Sequence, residues 1–129
     1  MHWIVDAMNV IGSRPDGWWK DRHGAMVALV ARLEKWVVDG DRVTVVFERP
    51  PSPPIGSDLI MIAHAPAAAA DSADDEIVRL LQHDPRRDRI TVVTSDGVLA
   101  GRVRAAGAQV CPAARFRAVL DAASSMDDR

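Results

Sequence analysis

The chain of 129 residues is the size of one domain and is long enough to bury a sizeable core. Its composition, 48% hydrophobic and 26% charged, excludes an intrinsically disordered chain. The formal net charge of −2 provides no global basic field, so any attraction for nucleic acid would have to be local or metal-assisted.

Two further features narrow the class of protein. The single cysteine, Cys111, excludes an internal disulfide and is predicted to be a small buried hydrophobe. No apolar run approaches the roughly 18 residues that a membrane helix needs, and no leader-like segment precedes Asp6. We therefore expect a cytoplasmic protein without membrane contact.

Five strands are predicted, and they alternate with helices along the chain. Apolar and β-branched runs predict strands at 2–7, 42–48, 58–64, from residue 90 and at 109–111. Apolar residues at helical spacing predict helices at 23–38, from residue 72, at 98–106 and at 112–123, and Asp71 or Ser72 can cap the second of these. Residues 9–16 and the proline-rich 49–54 are predicted loops, and the short third strand is expected near a sheet edge.

This alternation indicates one α/β domain. Parallel strands need crossover helices, so we expect a three-layer sandwich: a mostly parallel, five-stranded twisted sheet with helices on both faces. The domain is predicted to span residues 1–123, and residues 124–129 are predicted to form a flexible polar tail.

Carboxylates recur where predicted elements begin or end. The clearest example is the stretch ITVVTSDG, residues 90–97, which predicts a buried strand ending in two hydroxyls and a carboxylate. In an open parallel sheet, ligands bind outside the carboxyl ends of the strands, so these acidic residues are expected to form a site. The alternatives are turn formation at strand ends and a favourable interaction with a helix dipole, the latter for Asp75 and Glu76. The candidate site residues are Asp6, Glu48, Asp74 and Asp96.

Clustered carboxylates without a compensating histidine or cysteine would repel one another unless a hard divalent cation lay among them. Oxygen-only ligation suits Mg²⁺ or Mn²⁺, and such an ion can activate water and neutralise charge on a phosphate. The residues therefore favour phosphodiester hydrolysis. The sequence contains neither G-x-x-x-x-G-K-[ST] nor a G-x-G-x-x-G after the first strand, which excludes a P-loop NTPase and argues against a dinucleotide enzyme.

Aromatic and basic side chains are candidates for contacts with RNA. Two adjacent tryptophans beside two cations are interpreted either as a hydrophobic lid over the sheet or as a stacking surface for single-stranded nucleic acid. An arginine-rich turn before the fourth strand is interpreted either as solvated surface or as a contact to the phosphate backbone. The candidate contacts are Arg14, Trp18, Trp19, Lys20, Arg22, Arg86 and Arg87.

Four short motifs resemble, in order, those of a known family. The segment VDAMNVI, residues 5–11, resembles the opening D-x-x-N-[IVL]-[IVL] of NYN domains in the PIN-like ribonuclease superfamily. The segments VVFE (45–48), SAD (72–74) and TSD (94–96) resemble its later motifs, and their spacing is most similar to the bacterial YacP-like branch. The similarity extends from residue 3 to about residue 120. Met8 and the paired tryptophans depart from the family pattern, and neither departure changes an acidic residue of the motifs.

The resemblance implies a PIN-like sandwich that acts on RNA as a metal-dependent endoribonuclease. Carried over by position, Asn9 would orient the scissile phosphate, and Ser95 would support Asp96 or contact a phosphate. The alternatives are a non-catalytic module that binds RNA or the ribosome through the same groove, and a metal-dependent phosphatase. A monomer or weak homodimer is expected. The implied ligands of Mg²⁺ or Mn²⁺ are Asp6, Asp74 and Asp96, with Asp75 and Glu48 as further candidates.

Overall fold

The computed structural model describes residues 1–66 and 72–127, and within them it contains five strands and five α-helices. The strands are β1 (His2–Asp6), β2 (Arg42–Phe47), β3 (Met61–His64), β4 (Ile90–Val93) and β5 (Gln109–Cys111). The helices are α1 (Ala7–Ile11), α2 (Arg22–Trp36), α3 (Ser72–Gln82), α4 (Gly97–Ala105) and α5 (Ala113–Asp127). Short 3₁₀ turns lie at Trp18–Lys20 and Arg87–Arg89. The predicted α/β sandwich is confirmed.

The five strands form one sheet in the order β3-β2-β1-β4-β5, and every neighbouring pair is parallel. The chain starts at the centre of the sheet, moves outward to the edge strand β3, and then crosses to the other side of β1 to form β4. The strand order therefore reverses between β1 and β4, which is where open α/β sheets provide a crevice for ligands.

Successive residues of β1 serve two separate cores. Val5 packs with α1, α2 and α5 on one face, whereas Ile4 packs with α3 and α4 on the other. Neighbouring residues pack on opposite faces because side chains alternate along a strand. Helices cover both faces of this sheet, which explains why the central strand is apolar at consecutive positions. The first core includes three aromatic rings in mutual contact, those of Trp3, Trp36 and Phe116, with centroids 5.0 to 5.6 Å apart.

Local hydrogen bonds explain where α2 begins. The Asp21 carboxylate accepts a hydrogen bond of 2.9 Å from the backbone N–H of Gly24, which satisfies one of the free donors of the first turn. A Cβ atom at Gly24 would lie 2.3 Å from an Asp21 carboxylate oxygen, so a side chain there would displace the cap. The Asp21 cap of α2 therefore requires a glycine at position 24.

The element boundaries differ from the predictions at several places. Residues 9–11, predicted as loop, belong to α1, because the chain turns directly from β1 into a helix too short to show an apolar period. β3 begins at Met61, three residues later than predicted, and it lies at the sheet edge as expected. The last helix continues to Asp127, so residues 124–127 of the predicted tail are helical. The predicted cap at Asp71 lies outside the described residues.

Across residues 1–66 and 72–127, none of the helices combines the length and the apolar character needed to cross a membrane.

Candidate active site

The predicted acidic residues line one cleft at the carboxyl ends of the central strands. The cleft has a volume of about 250 Å³ and lies where β1, β2 and β4 end, next to the first turn of α3. Among the described residues, those that line it include no lysine, arginine or histidine. They are Asp6, Met8, Asn9, Glu48, Ala73, Asp74 and Asp96.

Asp6 is the most buried of these carboxylates, with 6% of its surface exposed. Its Oδ2 accepts a hydrogen bond of 2.9 Å from the hydroxyl of Thr94. The pKa of Asp6 is raised to about 6, chiefly by burial. The Thr94 hydrogen bond lowers it in part, and the charges of Asp74, Asp96 and Glu48 add to the rise. Although Asp6 precedes α1, its side chain caps no backbone N–H of that helix. Turn or cap formation therefore does not explain this aspartate.

Asp96 has a capping role as well as a position on the cleft. Its Oδ1 accepts hydrogen bonds from the backbone N–H groups of Val98 and Leu99, at 2.9 and 3.0 Å, and so begins α4. Its own backbone N–H donates to Thr94 Oγ1 at 3.1 Å. The Thr94 hydroxyl thus joins Asp6 to the backbone of Asp96, and it fixes the position of both residues across the β1–β4 crevice.

Asn9 and Ser95 form a second connection beside the cleft. The Asn9 side-chain oxygen accepts a hydrogen bond of 2.7 Å from the backbone N–H of Ser95. The Ser95 hydroxyl in turn accepts a hydrogen bond of 2.9 Å from the backbone N–H of Ala113, at the start of α5. The Asn9 amide is held in a fixed orientation on the cleft wall, and the Ser95 side chain faces α5.

The structure separates the two adjacent aspartates of α3. Asp74 lies on the cleft, whereas the exposed Asp75 points away and forms an ion pair of 2.9 Å with Arg102 of α4. Consecutive helical residues point about 100° apart, so only one of the pair can face the sheet edge. Glu48, at the end of β2, also lies on the cleft. Of the two further candidate ligands, the structure brings Glu48 to the site and leaves Asp75 outside it.

The carboxylates share the cleft without forming a complete coordination shell. Within the described parts of the chain, no three His, Cys, Asp or Glu side chains are placed to hold one metal ion together. The donor chemistry nevertheless fits Mg²⁺ or Mn²⁺, because every candidate ligand is an oxygen and such ions bind through one or two carboxylates while keeping several waters. After burial, the charges of Asp74, Asp96 and Glu48 add to the raised pKa of Asp6, and a bound cation would relieve that repulsion.

The predicted basic contacts lie in different parts of the molecule. Arg86 and Arg87 precede β4 and therefore lie at the amino-terminal ends of the strands. The cleft lies at the carboxyl-terminal ends, roughly 13 Å away for a strand of this length. Trp19 and Lys20 are exposed in the loop after α1. That these arginines contact the RNA backbone stays a prediction, and such a contact would lie about one strand length from the cleft.

Trp18 and Arg14 line a cavity beside Val10 and Ile11 of α1, and Arg22 lines a groove with Met8 and Glu48 of the cleft. The guanidinium carbon of Arg22 is 5.3 Å from the Trp18 ring centroid, a cation–π contact, and the Trp18 and Trp19 rings meet edge to face. Arg14 forms an ion pair with Asp121 of α5.

Sequence reasoning missed two residues of the site. Thr94 links Asp6 with Asp96, and its signal was the hydroxyl that immediately follows the ITVV strand. Met8 forms part of the cleft wall and also lines an adjoining groove of about 320 Å³ with Arg22 and Arg49. A methionine after a strand gives no signal of this kind, because the same residue type fills gaps in any core.

Comparisons with known proteins agree with the fold. The family model described as the YacP-like NYN domain matches residues 3–128. Rae1 (YacP) from Bacillus subtilis has a similar solved structure, with a TM-score of 0.82 and 21% identity over 100% of this chain and 78% of that one. A tryptophan-to-leucine variant of the same protein gives a TM-score of 0.81 and 21% identity over 99% of this chain and 79% of that one. No curated protein matches the sequence significantly.

The match to the family model extends over nearly the whole chain and includes every acidic residue of the cleft. The chain therefore belongs to the YacP-like NYN domain family, a family of nuclease-like, RNA-related domains.

Proposed function

We propose that the protein is a metal-dependent endoribonuclease that hydrolyses phosphodiester bonds of RNA. The observation that carries the proposal is the position of Asp6, Asp74 and Asp96 on one cleft at the point where the strand order reverses. Family membership supports the nuclease class, and the all-oxygen donor set supports a hard divalent cation.

Asp6, Asp74 and Asp96 would hold Mg²⁺ or Mn²⁺ by one or two direct carboxylate contacts and otherwise through water, and Glu48 lines the same cleft. When bound, such an ion activates water and neutralises the charge that develops on the phosphate. Asp6 must be ionised to act as a ligand. Because its pKa is raised to about 6, its capacity to hold a cation falls as the pH drops through that value.

Asn9 would orient the scissile phosphate. Its side-chain oxygen is occupied by the backbone N–H of Ser95, which leaves the amide N–H groups as the donors toward the cleft. These donors can hydrogen-bond a non-bridging phosphate oxygen, as the positioning of a reacting group requires. Ser95, whose hydroxyl is bonded to the start of α5, would act by holding Asn9 in place.

Adjacent aspartates of α3 provide a matched test of this proposal. We expect Asp74→Asn to abolish Mn²⁺-dependent cleavage of a single-stranded RNA, because the carboxylate lies on the cleft. Asp75→Asn removes the same charge one residue away, from an exposed ion pair with Arg102, and should cleave at the wild-type rate. Wild-type activity in Asp74→Asn would overturn the assignment.

The second candidate function is a non-catalytic module that binds RNA or a ribosomal surface through the same cleft. The observation that favours it is that no three described side chains are placed to share one metal ion. This module would bind RNA equally well with and without Mn²⁺ and would leave the RNA intact. Mn²⁺-dependent cleavage that Asp74→Asn abolishes would exclude it.

A further inference from the structure

Three arginines converge on a single carboxylate outside the acidic cleft. The three arginines come from different elements: Arg14 follows α1, Arg32 lies on α2 and Arg117 lies on α5. All three approach Asp121, which lies one turn after Arg117 on α5. Arg14 hydrogen-bonds Asp121, Arg32 lies 3.5 Å from it, and Arg117 lies 3.9 Å from it, beyond hydrogen-bond range. One carboxylate therefore faces three positive charges.

Within the part of the chain that the structure describes, the guanidinium group of Arg117 lacks acceptors for some of its hydrogen-bond donors. Its Nε and Nη1 atoms are buried, and among the described residues neither has a hydrogen-bond acceptor. A buried donor without an acceptor is costly, more so when it belongs to a charged group, and native structures normally supply a partner. An ordered water or an oxygen-rich anion could supply the missing acceptors, and an anion would in addition complement the charge of the three arginines.

A cavity of about 270 Å³ lies at these arginines. The side chains of Arg14, Arg32 and Arg117 line it, and the Trp18 ring forms another part of its wall. Asp16 and Asp21 also border the cavity, but both are exposed and the Asp21 carboxylate caps α2. An anion would therefore be attracted to the arginine side, with the aromatic ring within the same cavity.

The cavity is connected to the acidic cleft through α1. Asn9 of this helix lines the cleft, and Val10 and Ile11, the next two residues, line the cavity. A helix of five residues spans about 7.5 Å, so the two sites are neighbours on the surface. This distance suits consecutive parts of one extended, flexible ligand.

We propose that this arginine cavity binds a phosphodiester group of single-stranded RNA outside the scissile position, with a base of that RNA stacked on Trp18. The proposal takes its ligand class from the proposed function. Guanidinium groups match the geometry of phosphate oxygens, and an aromatic ring stacks on any base, so the site would fix the path of the strand without selecting its sequence. Asp121 holds the arginines in position while the cavity is empty.

The test is a binding experiment that does not depend on cleavage. Anisotropy of a labelled single-stranded RNA of roughly 4 to 16 nucleotides, the usual range of such sites, is measured in EDTA with the full chain. Arg117→Met keeps the aliphatic stem and should weaken binding roughly tenfold or more, because it removes charge-assisted contacts. It should also reduce the dependence of log K on log salt by about one counterion.

The matched control is Arg115→Met, which removes an exposed charge from the same helix. Its RNA affinity should stay close to the wild-type value. Equal affinities for the wild type, Arg117→Met and Arg115→Met would overturn the proposal and leave the arginines as a purely structural cluster. Should Arg117→Met fail to fold, Arg14→Met, in the loop after α1, replaces it with the same expectations.

Tryptophan fluorescence provides a local readout. RNA should quench the fluorescence in the wild type, and Trp18→Leu should lose most of that quenching together with part of the affinity. Unchanged quenching in Trp18→Leu would contradict stacking on Trp18.

The outcomes of these experiments distinguish this inference from the proposed function. RNA that binds through Arg117 but is never cleaved would overturn only the nuclease proposal, and RNA that is cleaved with equal affinity for Arg117→Met would overturn only this one.

Discussion

Replacing Asp6 by asparagine should stabilise the protein while removing a proposed ligand. Asp6→Asn keeps the shape of the side chain and an oxygen that can accept the Thr94 hydrogen bond. It removes a negative charge that is buried and lies near three other carboxylates. We therefore expect gained stability and lost activity from one substitution, as is common where a functional site carries strain.

The size of the effect follows from the pKa of Asp6. Burial raises that pKa to about 6 from an ordinary value of 3.8, and each pKa unit corresponds to about 1.4 kcal/mol. Ionised Asp6 thus lowers the free energy of unfolding by up to about 3 kcal/mol. Because the folded pKa is raised, this loss develops as the pH rises from about 4 to about 6 and is constant above that range.

The assay is thermal or urea unfolding of the wild type and Asp6→Asn in EDTA across this pH range. Near pH 8 the variant should be more stable by up to about 3 kcal/mol, or roughly 10 °C in melting temperature, and near pH 4 the two should coincide. Asp75→Asn, an exposed carboxylate, is the control and should change stability by less than about 1 kcal/mol. A variant that is less stable at pH 8, or a difference that does not change with pH, would refute the reasoning.

Three further outcomes follow from the same contacts. Asp96→Ala should lose about 1 kcal/mol of stability by urea unfolding because the α4 cap is lost, whereas Asp96→Asn should keep the cap, and equal losses would contradict the capping role. Mn²⁺ at about 100 times its Kd should stabilise the wild type by about 2.7 kcal/mol in a thermal melt, and Asp74→Asn should remove most of that gain; an undiminished gain would show that the ion binds elsewhere. Phe116→Ala should lower the free energy of urea unfolding by about 3–5 kcal/mol, since the ring packs between Trp3 and Trp36; a loss under about 1 kcal/mol would contradict that packing.

Much of the fold could be predicted because its determinants are local. Apolar strands bounded by Gly, Asp and Pro predicted four of the five strands within about two residues, and alternation with helices predicted the parallel sheet. The convergence of Asp6 and Asp96 followed from topology alone, since parallel strands end at one edge. The sequence also contained the information that separates Asp74 from Asp75. Asp74 precedes the buried Ile77, Val78 and Leu81 by three, four and seven residues, whereas the residues four and seven positions after Asp75 are the exposed Arg79 and Gln82.

The remaining features depend on contacts between distant parts of the chain. Arg14 and Asp121 are 107 residues apart, so no local pattern shows that they meet. The short helix α1 gives no amphipathic period, because five residues cover little more than one turn. The Arg86–Arg87 turn was predicted to contact the RNA backbone on charge alone, and its position before β4 places it at the end of the strands opposite the cleft.

Ser95 has a consequence for how the protein is made. Its backbone N–H holds Asn9 of α1, and its hydroxyl holds the first residue of α5, Ala113. Three segments that are far apart in the chain therefore meet at one residue. The Asn9 contact needs only the segment that follows β4, whereas the Ala113 contact needs α5. We therefore expect Ser95 to gain these two contacts in that order as the chain emerges during synthesis.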